Sequence, residues 1–287
     1  MLLEERLKGC FYGGIVGDIY GMPYEFLQEE DLIDYPEYKS GEYFAGGQFC
    51  LKKGYYTDDT SMTLCLSEAI IKNNCVTHHA LNNYTKWYKH GYLSSTGKLF
   101  DIGNQCKRAI EYYSKYGEFI KERDDAAGNG ALMRTSAIIV SYFGTGIMYQ
   151  KNNSQTIVTH NNQDALKAAS YFASFFEIIA NYPIEKSKEI INNHLTTYFN
   201  SMGPIKGCGY VYDSLRIAAE SFIKTDNFID SIIHAVSYAG DTDTNASITG
   251  MLTGFAYGFE SIPKHLLEFK DKEMIDEIFN QLIFVRS

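Results

Sequence analysis

The chain has 287 residues, 45% of them hydrophobic and 21% charged, with a formal net charge of −9. That composition suits a globular protein with a substantial core. The acidic balance, with no Lys/Arg cluster, argues against a nucleic-acid-binding surface.

Helical spacing dominates the chain, and alternating strand patterns are scarce. Residues 2–21 read as a helix with Gly9, Gly13, Gly17 and Gly21 one turn apart, so that a second backbone could approach closely along that stripe. The stretch Gln28–Gly54 is acidic, Gly-rich and irregular, the pattern of a mobile loop over a site. Further helices are expected over 60–73, 79–90, 103–116, 131–142, 163–180, 185–199, 210–223, 227–238, 244–259 and 271–283. The helix at 244–259 carries Ala246, Gly250, Gly254 and Gly258 at the same four-residue spacing as the first. Packed together, the two stripes would bring Asp18 and Glu25 near Asp241 and Asp243. No linker or repeat divides the chain, which favours one all-α domain over residues 1–287. The longest uncharged runs fall short of the roughly 18 residues a membrane helix needs.

The cysteines, Cys10, Cys50, Cys65, Cys75, Cys106 and Cys208, are scattered with no Cys-x-x-Cys pair, which argues against a zinc site. The start, Met-Leu-Leu-Glu-Glu-Arg, is too acidic for a signal peptide, so the expected setting is a reducing cytoplasm.

Two short segments stand apart. Thr57-Asp58-Asp59-Thr60 and Asp241-Thr242-Asp243-Thr244 each open a helix with paired carboxylates and hydroxyls. One Thr or Asp is enough to cap a helix, at about 1 kcal/mol, whereas neighbouring carboxylates repel and need a counter-charge. Oxygen-only clusters suit Mg²⁺, Mn²⁺ or Ca²⁺ better than zinc, and carboxylates from both clusters could hold two ions. Gly128-Asn129-Gly130-Ala131-Leu132-Met133-Arg134 is a Gly-rich turn entering a helix, a weak signal for phosphate. A lone His such as His160 is by default structural, and the pair His78-His79 reads as a solvated helix start.

Taken together these segments resemble the ADP-ribosylglycohydrolase family. The resemblance runs over residues 9–262, through Gly17-Asp18, Gly21 and Glu25, Gly54–Met62, Phe100-Asp101-Ile102-Gly103-Asn104, Gly128–Arg134, Thr159-His160, Gly209–Leu215 and Gly240–Thr244. It implies an all-α domain with a dinuclear metal cleft holding two Mg²⁺ or Mn²⁺ ions. The implied ligands are Thr57, Asp58, Asp59, Asp241, Asp243 and Thr244. ADP-ribose would contact Asn104, Gly128, Asn129, Gly130, Met133, His160 and Tyr210, with its diphosphate on the Gly-Asn-Gly turn. The implied reaction is hydrolysis at C1″ of an ADP-ribosylated side chain, most simply arginine, with Glu25, Asp59 and Asp101 as the candidate acid/base carboxylates. The alternatives are another ADP-ribose conjugate (ADP-ribosylserine, O-acetyl-ADP-ribose or a nucleic-acid adduct) and a silent crystallin-like relative. A monomer acting on ADP-ribosylated protein or a small conjugate, releasing ADP-ribose and independent of any membrane, is the expectation. The chain departs from the family at Gln163, Ala239 and Lys264-His265, none of them an implied ligand.

Overall fold

The computed structural model describes residues 1–286, so Ser287 lies outside the described residues. Among them there are twelve α-helices and no strand: α1 (Leu3–Gly21), α2 (Asp58–Asn73), α3 (His78–His90), α4 (Asn104–Tyr116), α5 (Thr135–Tyr142), α6 (Met148–Ile157), α7 (Gln163–Asn181), α8 (Ile184–Phe199), α9 (Val211–Lys224), α10 (Phe228–Val236), α11 (Thr242–Tyr257) and α12 (Lys272–Phe284). Short 3₁₀ turns join several of them.

The bundle is organised around α1 and α11, which run antiparallel in backbone contact. A Cβ added to Gly9 would stand 2.0 Å from the carbonyl oxygen of Gly254, and one on Gly13 would stand 2.1 Å from that of Gly250. Gly17 faces Ala246 and Gly21 faces Thr242 in the same way. The two small-residue stripes are therefore the two sides of one seam. Neither helix shows a solvent face over most of its length, because both are wrapped by neighbours. The helices α9 and α10 lie on α11, α5 contacts α1, and α2 packs against α3 and α12. Large aromatics fill the space beyond the seam, with Phe255 of α11 edge-on to Phe176 of α7 at 5.1 Å between centroids.

Sequence and structure part in three places. Over 131–142, residues Leu132–Arg134 form a 3₁₀ turn and the α-helix begins at Thr135. Arg134 (φ −101°, ψ 0°) marks the break, and its guanidinium is fully buried on the Gln155 and Thr159 oxygens. Second, α6 has no counterpart among the expected helices. Its buried face is polar, with Asn152 bonded to the Ala169 carbonyl and Gln155 to Arg134 and to the Ala131 carbonyl, so an apolar periodicity does not reveal it. Third, 28–54 has local form: 3₁₀ turns at Asp31–Asp34 and Pro36–Lys39. It is tied to the body where Tyr20 donates to the Tyr38 carbonyl and Tyr43 to that of Leu266.

Filling the seam should be costly because two backbones must separate. Gly13→Ala and Gly250→Ala should each destabilise the protein by about 3 kcal/mol or more in urea denaturation. Gly103→Ala, which meets open space, should stay within about 1 kcal/mol. Equal losses at all three positions would show that the seam is not the constraint.

Candidate active site

The seam ends where the acidic clusters begin. Thr57 caps α2, with Asp58 and Asp59 in its first turn. Asp241 stands at the N-cap position of α11, with Asp243 in the first turn. The second cluster is thus built like the first, and Gly21 against Thr242 fixes how close α1 comes to it.

Asp18, near the end of α1, is wholly buried and does not face the cleft. Its carboxylate accepts from the backbone N–H and hydroxyl of both Thr57 and Thr60, at 2.5–3.1 Å. In this way α1 holds the N-terminus of α2 in register. Glu25 follows the 3₁₀ turn after α1. Beyond it, the Phe26 N–H donates to the Gly240 carbonyl at 2.7 Å and the Gly240 N–H to that of Leu27 at 2.8 Å, clasping the Glu25 segment to the entry of α11. Gly240 is left-handed (φ 71°), and a Cβ there would lie 1.7 Å from the Gly207 carbonyl oxygen, which also accepts the Asp241 N–H.

These elements border a cleft of about 1420 Å³. Glu25, Asp58, Asp101, Asp241, Asp243 and Thr244 line it. Carboxylate oxygens of Glu25, Asp101 and Asp243 lie within 4.8 Å of one another, as do those of Asp58, Asp59 and Asp243. Asp59 lies deeper, off the cleft wall, where Oδ2 accepts from the Thr244 hydroxyl at 3.1 Å and Oδ1 has no partner. Glu25 Oε2 is likewise buried and unpartnered. Asp58 and Asp101 interact so that the Asp58 pKa is lowered and that of Asp101 raised, and the Gly103 N–H also favours the Asp58 carboxylate. Thr57 lies wholly buried behind the wall, its hydroxyl donating to Asp18 and accepting the Asp59 N–H that caps α2.

Among the described residues, none of these carboxylates forms an ion pair with Lys, Arg or His. Buried carboxylates without a counter-charge either take up protons or bind cations. Burial first, then neighbouring negative charge, pushes Glu25 up to about 10 and Asp101 to about 9. Burial raises Asp18 and Asp58 to about 6 against the hydrogen bonds that oppose it, and raises Asp59 and Asp243 as well. The orphaned Asp59 Oδ1 and the oxygen-only donor set fit divalent cations.

The Gly-Asn-Gly turn forms the facing wall. The Asn129 amide N–H group donates to Asp241 Oδ2 at 2.7 Å and to the Ser214 hydroxyl at 2.9 Å, so this residue orients an acid of the site. Gly128, Gly130, Met133 and the exposed Asn104 also line the cleft. His160 lies just under the turn: a Cβ on Gly130 would stand 2.9 Å from its Cε1. Burial, then the Arg134 charge, lowers its pKa to about 3, keeping the ring neutral. Thr159, which accepts from Arg134, is also hydrogen-bonded to His160 Nδ1 at 2.9 Å. Tyr210 is placed behind the wall, with its hydroxyl on Asp164.

Sequence reasoning missed two parts of the cleft. Ile205–Gly209 forms one rim, which the Gly207/Gly209 pair before a helix could have suggested. Phe26, beside Glu25, lines the mouth and carried no signal in the sequence.

The chain matches the family model described as ADP-ribosylglycohydrolase over residues 1–285. It is 30% identical over 303 residues to the ADP-ribosylarginine hydrolase Tri1 of Serratia proteamaculans, covering 98% of this chain and 80% of that one. To the ADP-ribosyl-[dinitrogen reductase] glycohydrolase of Rhodospirillum rubrum it is 27% identical over 291 residues, covering 98% and 95%. A solved structure titled "ADP-ribosylglycohydrolase-related protein complex" superposes with a TM-score of 0.84 at 26% identity, over 99% of both chains.

A carboxyl whose pKa is higher folded than unfolded stabilises the fold fully below its unfolded value, and that stability is lost as pH rises through the folded value. For these groups the window runs from ordinary values of 3.8 and 4.5 to about 10. In calorimetry on EDTA-treated protein, added divalent cation should therefore raise the melting temperature more near pH ~8.5 than near pH ~5.5. An equal or larger gain at the lower pH would refute this electrostatic account.

Proposed function

Since this chain belongs to the ADP-ribosylglycohydrolase family and is a glycosyl hydrolase acting on ADP-ribose conjugates, we propose that it releases ADP-ribose from modified arginine side chains of proteins, using two Mg²⁺ or Mn²⁺ ions. One observation carries the metal-assisted reading: carboxylates converge on the cleft, and among the described residues none of them is ion-paired to a Lys, Arg or His. Preference for arginine rests on the relative named as an ADP-ribosylarginine hydrolase.

Thr57, Asp58, Asp59, Asp241, Asp243 and Thr244 would hold the ions. Bound there, the cations supply the positive potential that lets an acidic cleft accept an anionic ligand, and they attract the hydroxyls of the terminal ribose. The residues around them divide the remaining work. The Gly128–Met133 turn and Asn104 offer a wall for the diphosphate and adjoining ribose. Asn129 holds Asp241 in its orientation. Asp59 is read as a ligand before an acid/base group, because it lies off the wall and its Oδ2 is already taken.

With bound cations offsetting the burial and neighbouring negative charge that raise its pKa, Glu25 Oε2, unpartnered and beside the cleft, would take a proton from the attacking water as C1″–O forms and C1″–N breaks. That proton passes to the departing guanidine nitrogen, which leaves as guanidinium, so atoms and charge balance. Asp101, its pKa raised by burial and by the neighbouring Asp58 charge, would serve as a hydrogen-bond donor within the cleft. All six cysteines are free, which suits the reducing cytoplasm proposed for the protein.

Release of ADP-ribose from arginine-, serine- and glutamate-linked substrates, in Mg²⁺, Mn²⁺ and EDTA, tests the reading. Arginine release should occur in either metal and vanish in EDTA, and undiminished release in EDTA would remove the metals from the account. Asp243→Asn should lower turnover by at least ~100-fold while the circular dichroism spectrum is kept. Glu25→Gln should reduce kcat by about 100-fold with ADP-ribose affinity little changed, and a loss confined to affinity would take Glu25 off the proton path.

A further inference from the structure

The mouth of the cleft carries a feature that neither metal binding nor ADP-ribose explains. Phe26 follows Glu25, lines the cleft and is 50% exposed. Its backbone is left-handed at φ 69°, a conformation that costs a residue with a side chain roughly 1 kcal/mol or more. The clasp to Gly240 holds it there. On the far side, Phe100 precedes Asp101 in the chain. Phe49 joins the two, with ring centroids 6.1 Å from Phe26 and 5.5 Å from Phe100, both edge-to-face. Phe49 also borders a second cavity, of about 620 Å³, so the row is a partition between two hollows. Among the described residues no Lys or Arg of the chain stacks on these three rings.

An aromatic row fixed in place, with the Phe26 ring half exposed and Glu25 and Asp101 next to its end members in the chain, complements one chemistry above others: a planar cation. A guanidinium stacks its face on an aromatic ring and offers in-plane N–H donors to carboxylate oxygens. A serine hydroxyl has neither cationic charge nor a planar face to match, and an acetyl group has no cationic charge. We propose that Phe26, positioned by Phe49 and Phe100, is a specificity-determining residue that stacks on the guanidinium of the leaving arginine, with Glu25 and Asp101 at its edge. This rests on the arginine reading above and adds to it the residue that recognises the leaving group.

The comparison that decides is among Phe26→Leu, Phe26→Tyr and wild-type protein with Mn²⁺, with release from ADP-ribosylarginine protein followed and ADP-ribose affinity measured by calorimetry. Leucine keeps an apolar side chain without a π face, and tyrosine keeps the ring. Phe26→Leu should lower kcat/KM roughly five- to thirtyfold, mostly through KM, with ADP-ribose affinity unchanged. Phe26→Tyr should restore most of the loss. Should Phe26→Leu melt well below wild type, Phe49→Leu makes the same comparison one ring away and should shift KM in the same direction. Wild-type arginine release with no loss in the leucine variants, or a matching loss of ADP-ribose affinity, would overturn the role of the aromatic row alone. Absence of arginine release by the wild-type protein would overturn the arginine reading and this inference with it.

Discussion

Everything in this molecule depends on how closely α1 and α11 approach. Facing glycines put backbone atoms where side chains would ordinarily keep helices 8–10 Å apart. The gain is positional. Asp18 near the end of α1 can reach α2, while Glu25, just past that end, stands beside the first turn of α11. A seam spaced by ordinary side chains would pull the Glu25 segment from Gly240 and break the paired backbone bonds between them. Small residues here act as a ruler whose zero lies at the acidic cluster.

The second constraint is electrostatic, and it opposes the first. Packing brings carboxylates together, and burial then penalises their charge, which is why their pKa values rise. A core built for stability alone would replace these groups with apolar ones of similar size. Among the described residues their internal relief comes from the interaction between Asp58 and Asp101 and from a few hydroxyl and N–H donors, one of which fixes Asp59 on one oxygen only. The site therefore stores a deficit of positive charge. A cation-dependent enzyme needs that deficit, and a structural protein has no use for it.

The parts of this arrangement legible in the sequence were those written locally. Four-residue spacing of glycines announced the seam, and paired acids beside threonines announced the helix mouths. Asp18 was visible as an acid, but its role was not, since its partners Thr57 and Thr60 are local to each other and distant from it. The helix α6 was hidden because its inward face is Asn152 and Gln155, whose burial is repaid by bonds to other elements. Tyr210 shows a different limit: a motif position names a residue but not the direction of its side chain, and here the hydroxyl turns to Asp164. Phe26 left no trace because an isolated phenylalanine after a glutamate has no period, and its meaning comes from rings at positions 49 and 100.

The site separates into two layers with different mechanical support. Most of the implied metal ligands sit at helix starts fixed by the seam, so their geometry is inherited from the core and should tolerate little change. The mouth is built from loops clasped by backbone bonds and bent through left-handed residues, Phe26, Ala239 and Gly240. Ala239 (φ 56°) holds that conformation without the freedom of glycine, and it persists because the bonds on either side over-determine the path. Strain of this kind concentrates where function demands a particular direction from one side chain. Here it aims Phe26 along the rim while leaving the carboxylates at the helix starts undisturbed. Selection on the leaving group can then act through loop residues at small cost to stability, while the hydrolytic centre stays as rigid as the two helices that carry it.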